Sequence, residues 1–342
     1  MSENRQVLIA SIPSGPLSQS DFEVRTAPVP AYGVGEVLCR TLALTIGAGQ
    51  RAGLQGSASY AGAPRAGVVM GGTGVAVVEE SNAPEIRAGD LVVGPTGWQE
   101  FSVHAATALR RVEPGPDPDP ALHLGVLGAN GLTAYFGLLE VGKPRPGETV
   151  VVSAAAGSVG HIVGQIAKKQ GCRVVGVAGS AEKCGLLVDE LGFDAAVNYK
   201  SADFRAAFKA ATPDRIDVYF DNTGGDILES ALFRMNLRGR IACCGAVSQY
   251  DTAHPAPGPR GVPGLLVNNR IRMEGFLVFD YLERYDEART ELLGWIEGGE
   301  LKPRTTEFQG LESAPQAFIE LLGGGTVGTT IVRLKRAPSR IT

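Results

Sequence analysis

The sequence predicts an α/β protein in two parts: a β-rich first part and a parallel sheet wound by helices. Three observations predict it. At 342 residues the chain is longer than one hydrophobic core usually serves. Its first third carries short apolar runs cut by Gly and Pro with no helical period, as strands and turns do. From Leu122 onward, strand-like runs alternate with helical periods, the pattern of parallel strands joined by crossover helices. The 46 glycines suit such a fold, because glycine serves tight turns and close backbone approaches.

Taken in order, Glu36–Leu44 and Gly74–Glu79 read as strands. Gly89-Asp90 is a turn feeding Leu91–Gly94, and Gly97–Val103 follows, completing a barrel-like or sandwich-like unit. The run 113–120, Glu-Pro-Gly-Pro-Asp-Pro-Asp-Pro, is the strongest breaker, because each proline disfavours helix at the residue before it. The junction is placed just after it. Thr149–Ser153, Arg173–Val177, Val218–Asp221 and Arg240–Cys244 are the next strands, with helices between them. Ala314–Leu322 reads as a helix, and Thr330–Leu334 as a strand returning to the first part. The expected domains are 1–125 completed by 311–342, and 126–310.

A net charge of -4 and the lack of any Lys/Arg cluster give no surface for nucleic acid. The apolar run Val7–Ala10 is broken by Pro13 and Gly15, too short for a signal-peptide core. No apolar stretch approaches the roughly 18 residues of a membrane span, so a cytoplasmic protein is expected. Five scattered cysteines without a Cys-x-x-Cys pair are expected to be reduced and mostly buried. His104, His123, His161 and His254 are not at paired ligand spacings, and Cys243 and Cys244 are adjacent, so a strand would point them to opposite faces. No zinc site is expected. Without a Gly-x-Ser-x-Gly elbow, hydrolysis has no support.

The candidate cofactor loop follows Thr149–Ser153: Ala154-Ala155-Ala156-Gly157-Ser158-Val159-Gly160. A dinucleotide loop needs a tight turn, bare backbone under the pyrophosphate and close packing of helix on strand. Ala155, Gly157 and Gly160 fill these roles, and Ser158 and Val159 complete the loop. Val159, Ile162, Val163, Ile166 and Ala167 then repeat at helical spacing, so the loop opens a helix whose N-terminal amides can hold phosphate. Cofactor choice is set after Arg173–Val177, where an NAD site usually places an acid. Here Gly179-Ser180 leaves room for a 2′-phosphate, Lys183 supplies charge, and Glu182 is expected to cap the next helix. The cofactor predicted is NADP(H).

At this point the motifs become specific. Gly89–Gly94 with Gly97-Trp98-Gln99-Glu100, Gly131-Leu132-Thr133-Ala134-Tyr135-Phe136-Gly137, Phe220-Asp221-Asn222-Thr223-Gly224-Gly225, Cys244-Gly245-Ala246-Val247-Ser248-Gln249-Tyr250 and Arg272–Val278 occur in this order. The chain thereby resembles, over almost its whole length, the zinc-independent medium-chain dehydrogenases/reductases of the prostaglandin-reductase, leukotriene-dehydrogenase and curcumin-reductase branch. The resemblance implies a GroES-like catalytic domain, a Rossmann domain between its two pieces, and a substrate in the cleft. It implies that Lys183 and Tyr199 contact the 2′-phosphate. Asn222, the segment Cys244, Gly245, Ala246, Val247, Ser248 and Tyr250, and the segment Phe276, Leu277 and Val278 resemble the nicotinamide-ribose side, with Thr133 near the nicotinamide. A homodimer is expected.

Three departures stand out. The branch carries Asp-Pro-Tyr-Met-Arg where this chain has Gly47-Ala48-Gly49-Gln50-Arg51, which keeps only the arginine. Thr326 stands where the branch tends to have a cofactor-contacting asparagine, and Ala129-Asn130 where Met-Pro is common. The expected reaction is reduction of the C=C bond of a small hydrophobic α,β-unsaturated ketone or aldehyde. Without metal, the carbonyl oxygen that gains charge needs hydrogen-bond donors. Tyr250 is the first candidate and Tyr60, which resembles a pocket tyrosine of curcumin reductases, the second; solvent is an alternative proton source. Two other readings share these residues: a quinone reductase of the zeta-crystallin type, and a cofactor-binding relative without chemistry.

Overall fold

The computed structural model describes residues 3–58, 62–112, 119–255 and 257–334. Tyr60 and positions 113–118 of the proline-rich run lie outside these. The chain forms two compact units: Met1–Gly125 with Asp251–Ala253 and Thr305–Thr342, and Val126–Tyr250 with His254–Arg304. The chain touches the first unit briefly at Asp251–Ala253, and its final return begins at Thr305, where the sequence reading has 311. The strand that starts there alternates exposed and half-buried residues, with Phe308 its one apolar side chain, so no apolar run announces it.

In the first unit, strands β1 (Glu3–Ile9) and β2 (Phe22–Pro28) form an antiparallel pair. Strand β3 (Glu36–Ile46) is the spine: it is largely buried and β-branched or apolar at most positions. Helix α1 (Ala48–Leu54) follows it, then β4 (Gly74–Ser81), β5 (Leu91–Gly94), β6 (Phe101–Ala105) and β7 (Arg110–Arg111). Within the segment Gly97–Val103 the strand begins only at Phe101, because Gly97 and Trp98 donate to the carbonyls of Gly72 and Met70.

The second unit opens with helix α2 (Ala129–Phe136) and then alternates strictly. Strands β8 (Thr149–Val152), β9 (Arg173–Ala178), β10 (Ala195–Asn198), β11 (Ile216–Asp221), β12 (Met235–Cys243) and β13 (Arg272–Gly275) are separated by helices α3 (Gly160–Lys169), α4 (Ala181–Gly185), α5 (Phe204–Ala211), α6 (Gly225–Leu232) and α7 (Val262–Asn269). Helix α8 (Tyr285–Glu297) closes the unit. The sheet is parallel throughout, in the order β10-β9-β8-β11-β12-β13. All four residues of β8 are buried, as expected of a central parallel strand covered on both faces.

The chain returns to the first unit as β14 (Thr305–Gln309), helix α9 (Ala314–Leu322) and β15 (Thr329–Arg333). Strand β15 joins β3 antiparallel and β14 parallel, giving the sheet order β14-β15-β3-β4-β5-β7 with β6 also on β3. Its core centres on Trp98, stacked on Phe22 at 5.5 Å and met edge-on by Phe318 at 5.9 Å. Among the described residues, no helix is long and apolar enough to cross a membrane.

Candidate active site

The strand order reverses direction between β8 and β11, which opens a crevice at their carboxyl ends. Ser153 and Asp221 sit there side by side. The Ser153 hydroxyl donates to Asp221 Oδ1 at 3.2 Å and accepts the Asn222 N–H at 2.9 Å, while Asn222 Nδ2 donates to the Ser153 carbonyl at 2.7 Å. Asp221 Oδ1 also accepts from Tyr219 Oη at 3.0 Å and from the N–H groups of Thr223 and Gly224 at 3.1 and 2.9 Å. Burial raises the pKa of this carboxyl, partly offset by those backbone bonds. The network fixes the turn 221–225.

The turn after β12 is sewn to this one. Cys244 and Gly245 donate to the Asp221 carbonyl, Val247 to that of Asn222, and Ser248 to that of Thr223 through both its N–H and its hydroxyl. Cys244 lies just past the end of β12 rather than within a strand, so the face alternation read for the cysteine pair does not extend to it. Desolvation, then the Asp221 charge, pushes its thiol up to about 12 and keeps it neutral. Tyr250 ends the segment with its hydroxyl oxygen 3.3 Å from the Ala246 N–H, a bond in which the phenol only accepts.

In the loop after β8 the positive φ belongs to Ala154, at 46°, not to a glycine and not to Ala155. Ala155 is fully buried, and its N–H bonds the Val177 carbonyl at 2.9 Å, so it packs rather than turns. Gly160 behaves as expected: a Cβ there would lie 2.3 Å from the Ala154 carbonyl oxygen. Among the described residues, no backbone carbonyl accepts from Ser158, Val159 or Gly160, whereas the next amides bond normally. Three donors therefore stand at the N-terminus of α3.

At the end of β9, Ser180 caps α4, its hydroxyl accepting the Lys183 N–H at 3.2 Å. The capping role read for Glu182 is therefore Ser180's. Tyr199 stands against Gly179, where a Cβ would be 3.1 Å from its ring, and Lys200 Nζ lies 5.8 Å from that ring's centre. Desolvation and then the charge of Lys200 lower the Lys183 pKa, so two ammonium groups share one site. Lys200 is the residue that sequence reading missed. Its signal was the position beside Tyr199 at the end of β10.

The structure gathers Lys183, Tyr199, Asn222 and 244–250 along one edge of the second unit's sheet, at its strands' carboxyl ends. Phe276 packs edge-on against Phe220 at 6.2 Å and fills the space where a Gly137 Cβ would be. Leu277 is the N-cap of a short turn beginning at Val278. Thr133 is the half-buried position of the α2 turn 131–136, the others being buried. Thr326 is buried in the first unit. Tyr60 is outside the described residues. Among the described residues, no three His, Cys, Asp or Glu side chains come close enough together to hold a metal.

A glycine loop at the switch point of a parallel sheet, opening a helix whose first amides meet no backbone acceptor among the described residues, defines a dinucleotide-binding protein. Two family models match the chain, one described as the N-terminal domain of oxidoreductase over residues 5–112 and one as zinc-binding dehydrogenase over 158–296. The NADPH-dependent curcumin reductase of Escherichia coli (strain K12) is 40% identical over 335 residues, with 97% of each chain covered. The NADP(+)-dependent 2-alkenal reductase of Nicotiana tabacum is 41% identical over 340 residues, covering 97% of this chain and 98% of that one. The crystal structure of CurA from Vibrio vulnificus in complex with NADPH superposes with a TM-score of 0.93 at 38% identity, covering 97% and 100% of the two chains. The chain belongs to the medium-chain dehydrogenase/reductase family, in its zinc-independent branch of curcumin, alkenal and prostaglandin reductases.

Proposed function

We propose that this protein is an NADPH-dependent reductase of the conjugated C=C bond of small hydrophobic α,β-unsaturated ketones and aldehydes. The observation that carries the reading is the paired site on the second unit's sheet: bare amides at Ser158–Gly160 and two lysines beside Gly179. The cradle fits the cofactor, because the loop keeps side chains off its backbone where Gly160 admits no Cβ. Ser158, Val159 and Gly160 would hold the pyrophosphate, Lys183, Tyr199 and Lys200 the 2′-phosphate, and Asn222 with 244–250 and Phe276–Val278 the nicotinamide-ribose side, with Thr133 as a further contact. When bound, NADPH supplies a hydride to the alkene carbon remote from the carbonyl. Tyr250, whose proton its bond to Ala246 leaves uncommitted, donates to the carbonyl oxygen as that oxygen gains charge.

A cytoplasmic homodimer completes the reading. Five free thiols accord with a reducing compartment. Strand β13 is an edge of the parallel sheet, flanked by exposed Val267, Leu277, Phe279 and Leu282, and an unpaired edge beside exposed apolar side chains is a surface that a second copy can cover. One screen tests the function: NADPH oxidation with enals, enones, prostaglandin-like ketones and quinones, with product analysis. Saturated carbonyl products are expected. Turnover of quinones alone, or tight NADPH binding with no oxidation on any substrate, would overturn the proposal.

A further inference from the structure

His161, the second residue of α3, is 1% exposed and has both ring nitrogens engaged. Nδ1 is 2.8 Å from the Gly157 carbonyl oxygen, and Nε2 is 3.2 Å from the Arg304 backbone nitrogen. An amide N–H can only donate, so Nε2 accepts, and in the neutral ring the proton sits on Nδ1 and is donated to Gly157. The Arg304 amide is itself held in place. Gln165, one turn along α3, donates to the Lys302 carbonyl at 3.2 Å and accepts the Lys302 N–H at 2.7 Å.

The Gly157 carbonyl already accepts the His161 backbone N–H at 3.2 Å, so the imidazole is not needed to satisfy it. What the second bond adds is direction. A trans peptide is planar, and its N–H points opposite to its C=O. With the Gly157 carbonyl drawn toward His161 by two donors, the Ser158 N–H of the same peptide points the other way, where no backbone acceptor among the described residues meets it. Residues 157–159 are half-buried, whereas Ala155, Ala156 and Gly160 on either side of them are buried.

We propose that His161 is a positioning residue of the cofactor loop, aiming the Ser158 N–H at the pyrophosphate through the Gly157–Ser158 peptide. The proposal rests on reading 157–160 as the pyrophosphate loop. It assigns the ring no contact with the cofactor. Burial holds the imidazole's pKa down to about 4, so the donor tautomer persists across neutral pH.

The test uses the full chain, with NADPH and adenosine 2′-monophosphate, which lacks the pyrophosphate, as probes. His161→Phe keeps a ring but no donor; His161→Asn keeps a donor near the place of Nδ1. The Phe variant is expected to bind NADPH about tenfold more weakly, the loss of one charge-assisted bond, with affinity for adenosine 2′-monophosphate unchanged, and the Asn variant to recover most of the loss. Imidazole ¹⁵N shifts of the wild type should show the Nδ1–H tautomer, a readout that survives if a variant fails to fold. The Nε2–H tautomer, or equal losses for both probes, would overturn the proposal. The Ser158 amide resonance should move when NADPH is added. If it does not, the loop reading falls. If it moves while His161→Phe binds NADPH as the wild type does, the His161 proposal alone falls.

Discussion

At the scale of single residues, three predictions follow from chemistry already placed. In the proposed role of Tyr250, Tyr250→Phe removes one donor to a charge-gaining oxygen, so kcat should fall by about one to three powers of ten. NADPH affinity, measured on the same variant, should change little. A large affinity loss at unchanged kcat would mean that Tyr250 holds the cofactor instead. Burial and then the nearby Lys200 lower the Lys183 pKa, a cost that a 2′-phosphate would offset. Lys183→Ala should weaken NADPH at least about tenfold, the worth of a charge-assisted bond, and leave NADH nearly unaffected; equal effects in fluorescence titrations would refute the site. The third concerns pH. Burial first, then the Arg304 charge, lowers the His161 pKa from 6.5 to about 4, against the opposing bond to Gly157. The unfolded chain therefore binds the proton first. The stabilisation from the neutral ring is fully present above pH 6.5 and is lost as pH falls toward 4, up to about 3 kcal/mol. Urea unfolding at several pH values should show that slope in the wild type and a flatter one in His161→Asn. The sequence exposed His161 as a histidine at no ligand spacing, but only its two partners from positions 157 and 304 say what it does.

At the scale of elements, α1 explains why the sequence keeps an arginine after losing the rest of a motif. Arg51 is 1% exposed. Its Nε pairs with Asp251 at 2.9 Å, a terminal nitrogen donates to the Gly15 carbonyl at 2.7 Å, and Asp251 also accepts the Leu17 N–H at 2.6 Å. Gln50, in place of the methionine, accepts the Gly47 N–H and donates to the Gly71 carbonyl. The guanidinium is thus spent on folding the first unit and on anchoring the residue after Tyr250. Asp251→Ala should strand a buried charge and cost about 3 kcal/mol, read as a lowered urea midpoint at unchanged slope. A change within about 0.5 kcal/mol, the range of ordinary surface substitutions, would show the pair to be dispensable.

At the scale of the whole molecule, the exposed edge β13 predicts association. Phe279→Lys with Leu282→Lys should convert a dimer to a monomer in light scattering, because two ammonium groups on the exposed apolar patch oppose its burial. A wild-type protein that is monomeric at micromolar concentration would sink the idea.

The sequence by itself determined the alternation of strands and helices, the family, and the motifs that mark the crevice, because apolar periodicity and glycine spacing are local signals. The bounds of β9, α9 and β15 differ from the sequence reading by at most a residue. Strand β14 was not legible, since its residues alternate exposed and half-buried with a single apolar side chain, and its place comes from pairing with β15. Only the tertiary structure put the positive φ at Ala154, Lys200 beside Lys183, Asp251 beside Arg51, and the Arg304 amide on His161. Each of the last three joins residues from different segments of the fold. Such contacts are fixed by how buried polar groups find partners once the sheets have packed, which no local pattern records.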